Sequence, residues 1–162
     1  LNASYRFNDN FSLRGSVNYV ENRFRKYANA PCYTGQNCPG GSQDLSGTRF
    51  SAAPWTITAG ATYEDRITNG LRFSLSADLA SYTKSPSVNR QPNTATEAYT
   101  IANATLRLFQ DDGPWEAALI VTNLTNELYL TGFTNKPLGK PQDLRATVNP
   151  GREFRLRVGY KF

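Results

Sequence analysis

The sequence predicts an all-β fold, namely an antiparallel transmembrane β-barrel segment of about seven strands. Three observations lead to it. Segments of alternating apolar and polar residues recur, short and long connections alternate between them, and aromatic residues flank the short ones. The last segment, 154–162, carries three aromatic and two aliphatic side chains on one face, and three positive charges and a glycine on the other. Two faces that differ this much are typical of a barrel strand, with the apolar face toward lipid and the charged face toward a water-filled or plugged lumen.

The composition agrees with a barrel wall. The 162 residues fit one domain, mean hydropathy is -0.54, and no run approaches the ~20 apolar residues of a transmembrane helix. A spanning strand needs only ~9–11 residues, half of which face lipid. Methionine is absent and Leu1 already lies in an alternating segment, so we expect a fragment, a processed product or part of something longer.

Period-two alternation defines the strands in order. They are predicted at 1–7, 11–19, 50–63, 71–79, 102–108, 115–133 and 152–162. Short turns are predicted where Asn, Asp and Gly cluster, and they cover 8–10, 66–70 with its Asn-Gly pair, and 110–114. Long loops are predicted at 29–48, 85–97 and 134–151. This alternation is typical of outer-membrane barrels, which have short periplasmic turns and long extracellular loops.

The aromatic residues indicate a membrane interface. Eight of them lie beside the short turns or the C-terminus and are predicted to form one girdle: Phe7, Phe11, Tyr63, Phe73, Phe109, Trp115, Tyr160 and Phe162. Pairs on one face are separated by eight residues, roughly 26 Å along a strand, which matches the height of a lipid band. These pairs are Phe11 and Tyr19, Trp55 and Tyr63, and Phe154 and Phe162.

The two cysteines, Cys32 and Cys38, lie in a loop rich in Gly, Pro, Asn and Ser. This pattern favours a disulfide in an oxidising compartment over free thiols. A metal site is disfavoured because four soft ligands are normally needed and the chain has no histidine.

Catalytic patterns are missing from the sequence. Without histidine, neither a Ser-His-Asp nor a Cys-His arrangement can form. Asp111 and Asp112 stand beside Gly113 and are read as turn residues, and the glycines at 40–41 lack the lysine of a phosphate loop. The net charge is +5, but the basic residues are not clustered into the stripe that nucleic-acid binding requires. We therefore expect no enzyme, no cofactor, no metal and no nucleic-acid partner.

Four stretches, in their order and spacing, resemble the C-terminal end of the barrel of TonB-dependent outer-membrane receptors. They are Ala53-Pro54-Trp55-Thr56, Tyr99-Thr100-Ile101-Ala102-Asn103-Ala104, Val121-Thr122-Asn123-Leu124-Thr125-Asn126-Glu127-Leu128-Tyr129, and Gly159-Tyr160-Lys161-Phe162. The loop with Cys32-Tyr33-Thr34-Gly35-Gln36 and Asp44-Leu45-Ser46-Gly47 is also similar to a loop of many Gram-negative members.

The resemblance implies that residues 1–162 are the C-terminal portion of a barrel of about 22 strands around an N-terminal plug. The plug, its coupling box and the earlier strands are absent from this chain. The implied function is energy-coupled uptake of a scarce nutrient, most often a ferric siderophore, across the outer membrane of a Gram-negative bacterium. Implied partners are outer-membrane lipid and lipopolysaccharide, the plug and remaining strands, and a TonB-type energy-coupling protein acting through the missing N-terminal part. Tyr160 and Phe162 are the implied C-terminal insertion signal.

Two groups of charged or aromatic residues are candidates for contacts with a ligand or the plug. Charged side chains predicted to face the lumen either guide an anionic ligand or pair with one another and with the plug, and pairing is favoured because buried charges need partners. They are Arg14, Arg72, Arg107, Arg155, Arg157, Glu64 and Asp78. Loop residues are candidate contacts for an anionic substrate or lipopolysaccharide phosphate, or else ordinary solvated side chains. They are Lys136, Lys140, Arg145 and Arg152, and the aromatic Tyr33 on the cysteine loop is a separate candidate for contact with a ligand.

Two other functions remain open at this point. A small outer-membrane barrel or adhesin with a structural role predicts an even number of strands that close within these residues. A soluble, disulfide-bearing β-sandwich binding module predicts folding without detergent, with the apolar face of the last strand buried in a protein core.

Overall fold

The structure is a computed structural model that describes residues 1–50, 52–140 and 142–161. It is all-β, with 55% strand and no α-helix in these residues. The strands are β1 (Asn2–Arg6), β2 (Phe11–Tyr19), β3 (Ala30–Pro31), β4 (Ser42–Gln43), β5 (Trp55–Thr68), β6 (Leu71–Tyr82), β7 (Tyr99–Gln110), β8 (Trp115–Thr122), β9 (Leu130–Asn135), β10 (Leu144–Val148) and β11 (Glu153–Tyr160). None of the described residues forms a helix long and apolar enough to cross a membrane.

Seven strands form one antiparallel sheet in the order β1-β2-β5-β6-β7-β8-β11. The predicted count of seven antiparallel strands is therefore confirmed. Strands β3 and β4 form one small ladder and β9 and β10 another, both within long loops. Within the described residues the large sheet is not closed into a barrel, so β1 and β11 are its two edges.

Alternation along each strand, combined with the pairing register, places large apolar residues in rows on one side of the sheet, called here the apolar face. One row runs across five strands, with Tyr63 opposite Leu75, Leu75 opposite Leu106, Leu106 opposite Leu119, and Leu119 opposite Leu156. The opposite side, the polar face, has Arg14 opposite Gly60 and Gly60 opposite Asp78.

The apolar face is uncovered. On β11, Phe154, Leu156 and Val158 are 67%, 72% and 71% exposed. The accessible surface of 11286 Å² is about 40% larger than the roughly 8,000 Å² expected for a compact monomer of this mass. Among the described residues, the buried hydrophobic ones are Ala30, Leu45, Ala118 and Val121. Among the described residues, the apolar face therefore packs into no core.

All three short turns lie at one end of the sheet, here called the turn end, and the long connections lie at the other, the loop end. In the first turn, Asn8 Oδ1 accepts hydrogen bonds from the backbone N–H groups of Asn10 and Phe11, at 2.9 and 2.8 Å. In the second, β5 and β6 are joined by Asn69 and Gly70, and Gly70 has a φ of 83° that favours glycine. The predicted short turns are confirmed.

The prediction of one strand over 115–133 is wrong. Strand β8 ends at Thr122, because Asn123 and Asn126 have left-handed φ values of 51° and 54° that turn the chain out of the sheet. The chain then forms β9, which pairs with β10 in a hairpin outside the large sheet. The loop predicted at 134–151 thus contains a strand.

Three smaller predictions concern the start of β5 and the aromatic residues Phe109 and Phe162. The strand predicted to begin at residue 50 begins at Trp55. Phe109 was wrongly assigned to the girdle, since it pairs with Arg72 and Glu116 on the polar face. There the Arg107 guanidinium lies 4.4 Å from the centre of its ring. Phe162 lies outside the described residues.

Candidate functional site

The candidate site is the loop end, where the three long connections meet. Asn135 at the end of β9 donates a hydrogen bond from Nδ2 to Thr34 Oγ1, at 3.1 Å. Gln142 donates from Nε2 to the carbonyl oxygen of Gly35, at 3.3 Å. These bonds join residues more than 100 positions apart. They bring the tip of the β9–β10 hairpin to the loop that contains the cysteines.

The middle connection, between β6 and β7, joins the same cluster. Gln91, which is 7% exposed, donates a hydrogen bond to Asn135 Oδ1 at 3.3 Å. Gln43 on β4 donates to the carbonyl oxygen of Asn89 at 3.3 Å. The groups that join the three connections are thus neutral amides, hydroxyls and backbone carbonyls.

The first long connection folds around a small core of its own. Leu45 is fully buried, and its N–H donates to the carbonyl oxygen of Tyr27 at 3.0 Å. The ring of Phe24 lies 5.0 Å from that of Tyr27 and 4.3 Å from that of Phe50. This connection is therefore an ordered platform at the loop end.

A cluster of charged residues fixes the base of this platform. Glu21 accepts hydrogen bonds from Arg23 Nε at 2.6 Å, Tyr19 Oη at 2.9 Å and Arg49 Nη2 at 3.1 Å. The bond from Arg23, followed by those from Tyr19 and Arg49, lowers the pKa of Glu21 to about 2. Glu21 therefore stays ionised over the whole neutral and mildly acidic range.

The disulfide predicted between Cys32 and Cys38 is confirmed, with their Cα atoms 6.4 Å apart. It closes a ring of residues 32–38, called here the disulfide ring. The ring stands at the end of the β3–β4 ladder, in which Pro31 pairs with Ser42. The hairpin tip binds to this ring.

The predicted ligand-loop residues are all located at the loop end. Tyr33 is half-buried in the disulfide ring, next to Thr34. Lys136 and Lys140 are exposed in the hairpin tip, and Arg145 is exposed on β10 opposite Thr134. The bond between Thr34 and Asn135 brings the loop of Tyr33 to that of Lys136. Their role as ligand contacts stays a prediction.

The charged residues predicted to face the lumen lie on the polar face of the sheet, and most are paired. Five ion pairs connect neighbouring strands, reach across β5 from β2 to β6, or reach the turn end. They are Arg14 with Asp78, Arg72 with Glu64 and with Asp111, and Arg107 and Arg157 with Glu116. Arg155 makes no ion pair with any described residue. Because the paired side chains are partly exposed, each pair contributes only about 0–1 kcal/mol in water.

Glycine at position 60 makes room for one of these pairs. A Cβ atom built on Gly60 would lie 2.7 Å from Asp78 Oδ1 and 2.8 Å from Arg14 Nε. The two charged side chains therefore meet directly over the backbone of β5.

Three tyrosines stack where the polar face reaches the loop end. The ring centre of Tyr99 lies 4.8 Å from that of Tyr82 and 3.9 Å from that of Tyr129. The rings of Tyr99 and Tyr129 are nearly parallel, with an angle of 5° between their planes. The stack connects the end of the sheet to the chain that leads into β9.

Two asparagines that sequence reasoning missed hold the base of the hairpin. Asn123 and Asn149 are 6% and 8% exposed. Each donates a side-chain hydrogen bond to the carbonyl oxygen of Glu127 and another to that of Pro150. Asn149 also accepts one from the N–H of Tyr129, at 2.8 Å. The resemblance drew attention to the stretch around Asn123, whereas no sequence pattern indicates Asn149.

Comparison with protein-family models, with curated proteins and with solved structures found no match. Within the described residues, no three side chains of the His, Cys, Asp and Glu types are grouped so as to hold a metal ion.

Proposed function

We propose that this chain is the C-terminal part of the β-barrel of a TonB-dependent outer-membrane receptor. The observation that carries the proposal is the uncovered apolar face, which extends across all seven strands of an open sheet. An apolar surface of this extent needs lipid or a protein partner. Lipid is favoured because the opposite face is polar and charged, as in a barrel lumen.

The strand lengths support a membrane-spanning wall. Strands β6 and β7 have 12 residues each, which corresponds to roughly 40 Å at ~3.3 Å per residue. At a tilt of about 45° they would cover about 28 Å along the membrane normal, close to the ~25 Å apolar band of such barrels.

Aromatic residues on the apolar face support two membrane interfaces. At the turn end, the rings of Phe7 and Phe11 lie 5.4 Å apart. At the loop end, those of Tyr19 and Trp55 lie 4.6 Å apart. The residues between, such as Ala59, are smaller and aliphatic. Aromatic girdles flanking an apolar band are typical of outer-membrane barrels.

The two bare edges support a larger barrel. Unpaired backbone groups of β1 and β11 would be costly in lipid, where no water is available to bind them. Further strands of a barrel of about 22 would pair with both edges. The polar face would then line the lumen opposite the plug, with the paired arginines and with Arg155, for which the described part of the chain offers no ion pair.

In the proposed receptor, the loop end faces the medium and takes part in capture of a scarce nutrient such as a ferric siderophore. Many such chelates are anionic, and the exposed Lys136, Lys140 and Arg145 would attract them. Energy for uptake would come from the inner membrane, through a TonB-type protein that acts on the N-terminal part of the receptor.

The test is to locate the intact protein in its Gram-negative host and to measure uptake of radiolabelled ferric siderophores. We expect it in the outer membrane, and we expect uptake that stops when the proton gradient of the inner membrane is dissipated. Outer-membrane location without any energy-dependent uptake would favour a structural barrel or adhesin. A monomer soluble in buffer without detergent would refute the barrel and favour a β-sandwich module.

A further inference from the structure

The β9–β10 hairpin lies outside the sheet and is held at its base, at its tip, and by one hydrogen bond from Gln91 of the middle connection to Asn135. Its strands pair only with each other among the described residues. Its base is fixed by the buried amides of Asn123 and Asn149, and its tip by hydrogen bonds to Thr34 and Gly35. Of the three hydrogen bonds described between the hairpin tip and the other long connections, two therefore go to the disulfide ring.

The disulfide ring rests on a short ladder and on a hydrogen bond from Gln36 Nε2 to Gln43 Oε1 at 3.2 Å. The ladder beneath it consists of two residue pairs, and so short a hairpin is marginal alone in water. Gly35, Gly40 and Gly41 have positive φ values, so the surrounding chain is rich in conformational freedom without the bond. The bond between Cys32 and Cys38 closes a short ring around Gly35 and limits the conformations of residues 32–38.

We propose that the disulfide positions the ring as a docking site for the hairpin, so that the first and third long connections move as one unit. The two bonds from Asn135 to Thr34 and from Gln142 to Gly35 are called here the loop latch. Reduction of the disulfide by a dithiol, which is itself oxidised to a disulfide while two thiols form at Cys32 and Cys38, frees the ring, breaks the loop latch and releases the hairpin tip. This inference does not depend on whether the sheet lies in a membrane.

The loop latch differs in kind from the ion pairs of the polar face. Its donors are neutral amides and its acceptors are a hydroxyl and a backbone carbonyl. Its strength is therefore independent of pH and only weakly dependent on salt, in contrast to interactions between exposed charges. Redox state is the chemical variable to which it responds.

Hydrogen exchange of the intact protein, read by mass spectrometry, tests the loop latch. Peptides covering 130–148 are compared with the disulfide oxidised and after reduction and alkylation. Loss of two hydrogen bonds predicts about tenfold faster exchange in the hairpin. Exchange in β5–β7 should stay unchanged. If reduction speeds exchange only around the ring, at 30–43, and leaves the hairpin unchanged, the proposal is overturned.

A double variant with the disulfide intact covers the case in which reduction disturbs the whole fold. Thr34→Val removes one acceptor of the loop latch and Gln142→Ala removes one donor. The hairpin should again exchange about tenfold faster. Asn37→Ala is the matched control, because its amide lies on the same ring and has no described partner. An unchanged hairpin in the double variant, or an equal increase in the control, would overturn the proposal.

Discussion

Removal of the amides of Asn123 and Asn149 tests how the chain leaves and re-enters the sheet. Both side chains donate to the same two carbonyl oxygens, those of Glu127 and Pro150. When one amide is removed, each carbonyl keeps the other donor, and only one backbone N–H loses its partner. When both are removed, both carbonyls are left without a side-chain donor. The two substitutions should therefore be strongly non-additive.

The expected magnitudes follow from this sharing. Asn123→Gly leaves the N–H of Glu127 without its acceptor, and Asn149→Ala does the same for Tyr129. Each should lower the local free energy of opening by about 2 kcal/mol. The double variant should lose about 5–6 kcal/mol, which exceeds the sum by about 1–2 kcal/mol. Glycine replaces Asn123 because alanine in a left-handed conformation, with φ at 51°, would add backbone strain to the effect of losing the amide.

The assay is hydrogen exchange at the amides of 123–152, converted to free energies of opening. Asn126→Gly combined with Asn149→Ala is the matched control. Asn126 also has a positive φ and accepts a bond from the N–H of Arg152, but it shares no acceptor with Asn149. This control pair should be additive within about 0.5 kcal/mol. The reasoning is refuted if the Asn123 and Asn149 substitutions are additive to the same degree.

Three further predictions concern the two faces and the platform. Leu106→Arg on the apolar face should lower the free energy of unfolding in bilayers by about 2–4 kcal/mol, whereas Ser76→Arg on the polar face should change it by about 0.5 kcal/mol or less. Gly60→Ala should separate the ion pair above it and cost about 0–1 kcal/mol, measured by urea unfolding, with Gly15→Ala as control. Because Glu21 has its pKa lowered to about 2 from the model-compound value of 4.5, its contribution to the platform is fully present above 4.5 and lost as pH falls through about 2. Pepsin cleavage of the platform, normalised at each pH to cleavage of an unfolded peptide, should therefore rise progressively as pH falls from about 4.5 to about 2, and Glu21→Gln should abolish this dependence.

Each of these has a contrary result. Equal effects at positions 106 and 76 would mean that the two faces have the same surroundings. A Gly60→Ala cost equal to that of Gly15→Ala would mean that the added Cβ does not disturb the pair, although the Cβ at Gly15 would meet only a carbonyl oxygen at 3.4 Å. A normalised cleavage rate with the same pH profile in Glu21→Gln as in the native chain would mean that Glu21 has no effective partners.

The sheet could be predicted because period-two alternation carries its information locally. The five apolar residues of 154–162 identify a strand and its two faces without reference to the rest of the chain. Because side chains alternate between the two faces, Phe109 lies with Arg107 on the polar face, whereas Leu106 and Leu108 lie on the apolar face. Its position beside a short turn predicts a girdle residue, but the face of a side chain is decided by the alternation along the strand and not by closeness to a turn.

The loop end could not be predicted, because its contacts join distant positions through residues that have no pattern. Asn135 and Thr34 are 101 positions apart, and neutral amides in polar loops look alike in a sequence. The end of β8 at Thr122 depends on Asn123 in a left-handed conformation, and that conformation is held by partners near Pro150. The contact that could be predicted there is the disulfide, because its two cysteines are close together in the sequence.

Spin labels along β11 distinguish lipid from protein or water as the surroundings of the apolar face, and the proposed barrel wall requires lipid. Cysteines are introduced singly at Phe154, Arg155, Leu156, Arg157 and Val158 of the intact protein and labelled, while the native disulfide stays unreactive. Collision rates with oxygen, which concentrates in lipid, and with a water-soluble nickel chelate are then measured in bilayers. We expect oxygen contact to peak at 154, 156 and 158 and nickel contact to peak at 155 and 157. If 154, 156 and 158 are instead shielded from both reagents, or open to the nickel chelate, the apolar face lies against protein or water and the account is contradicted.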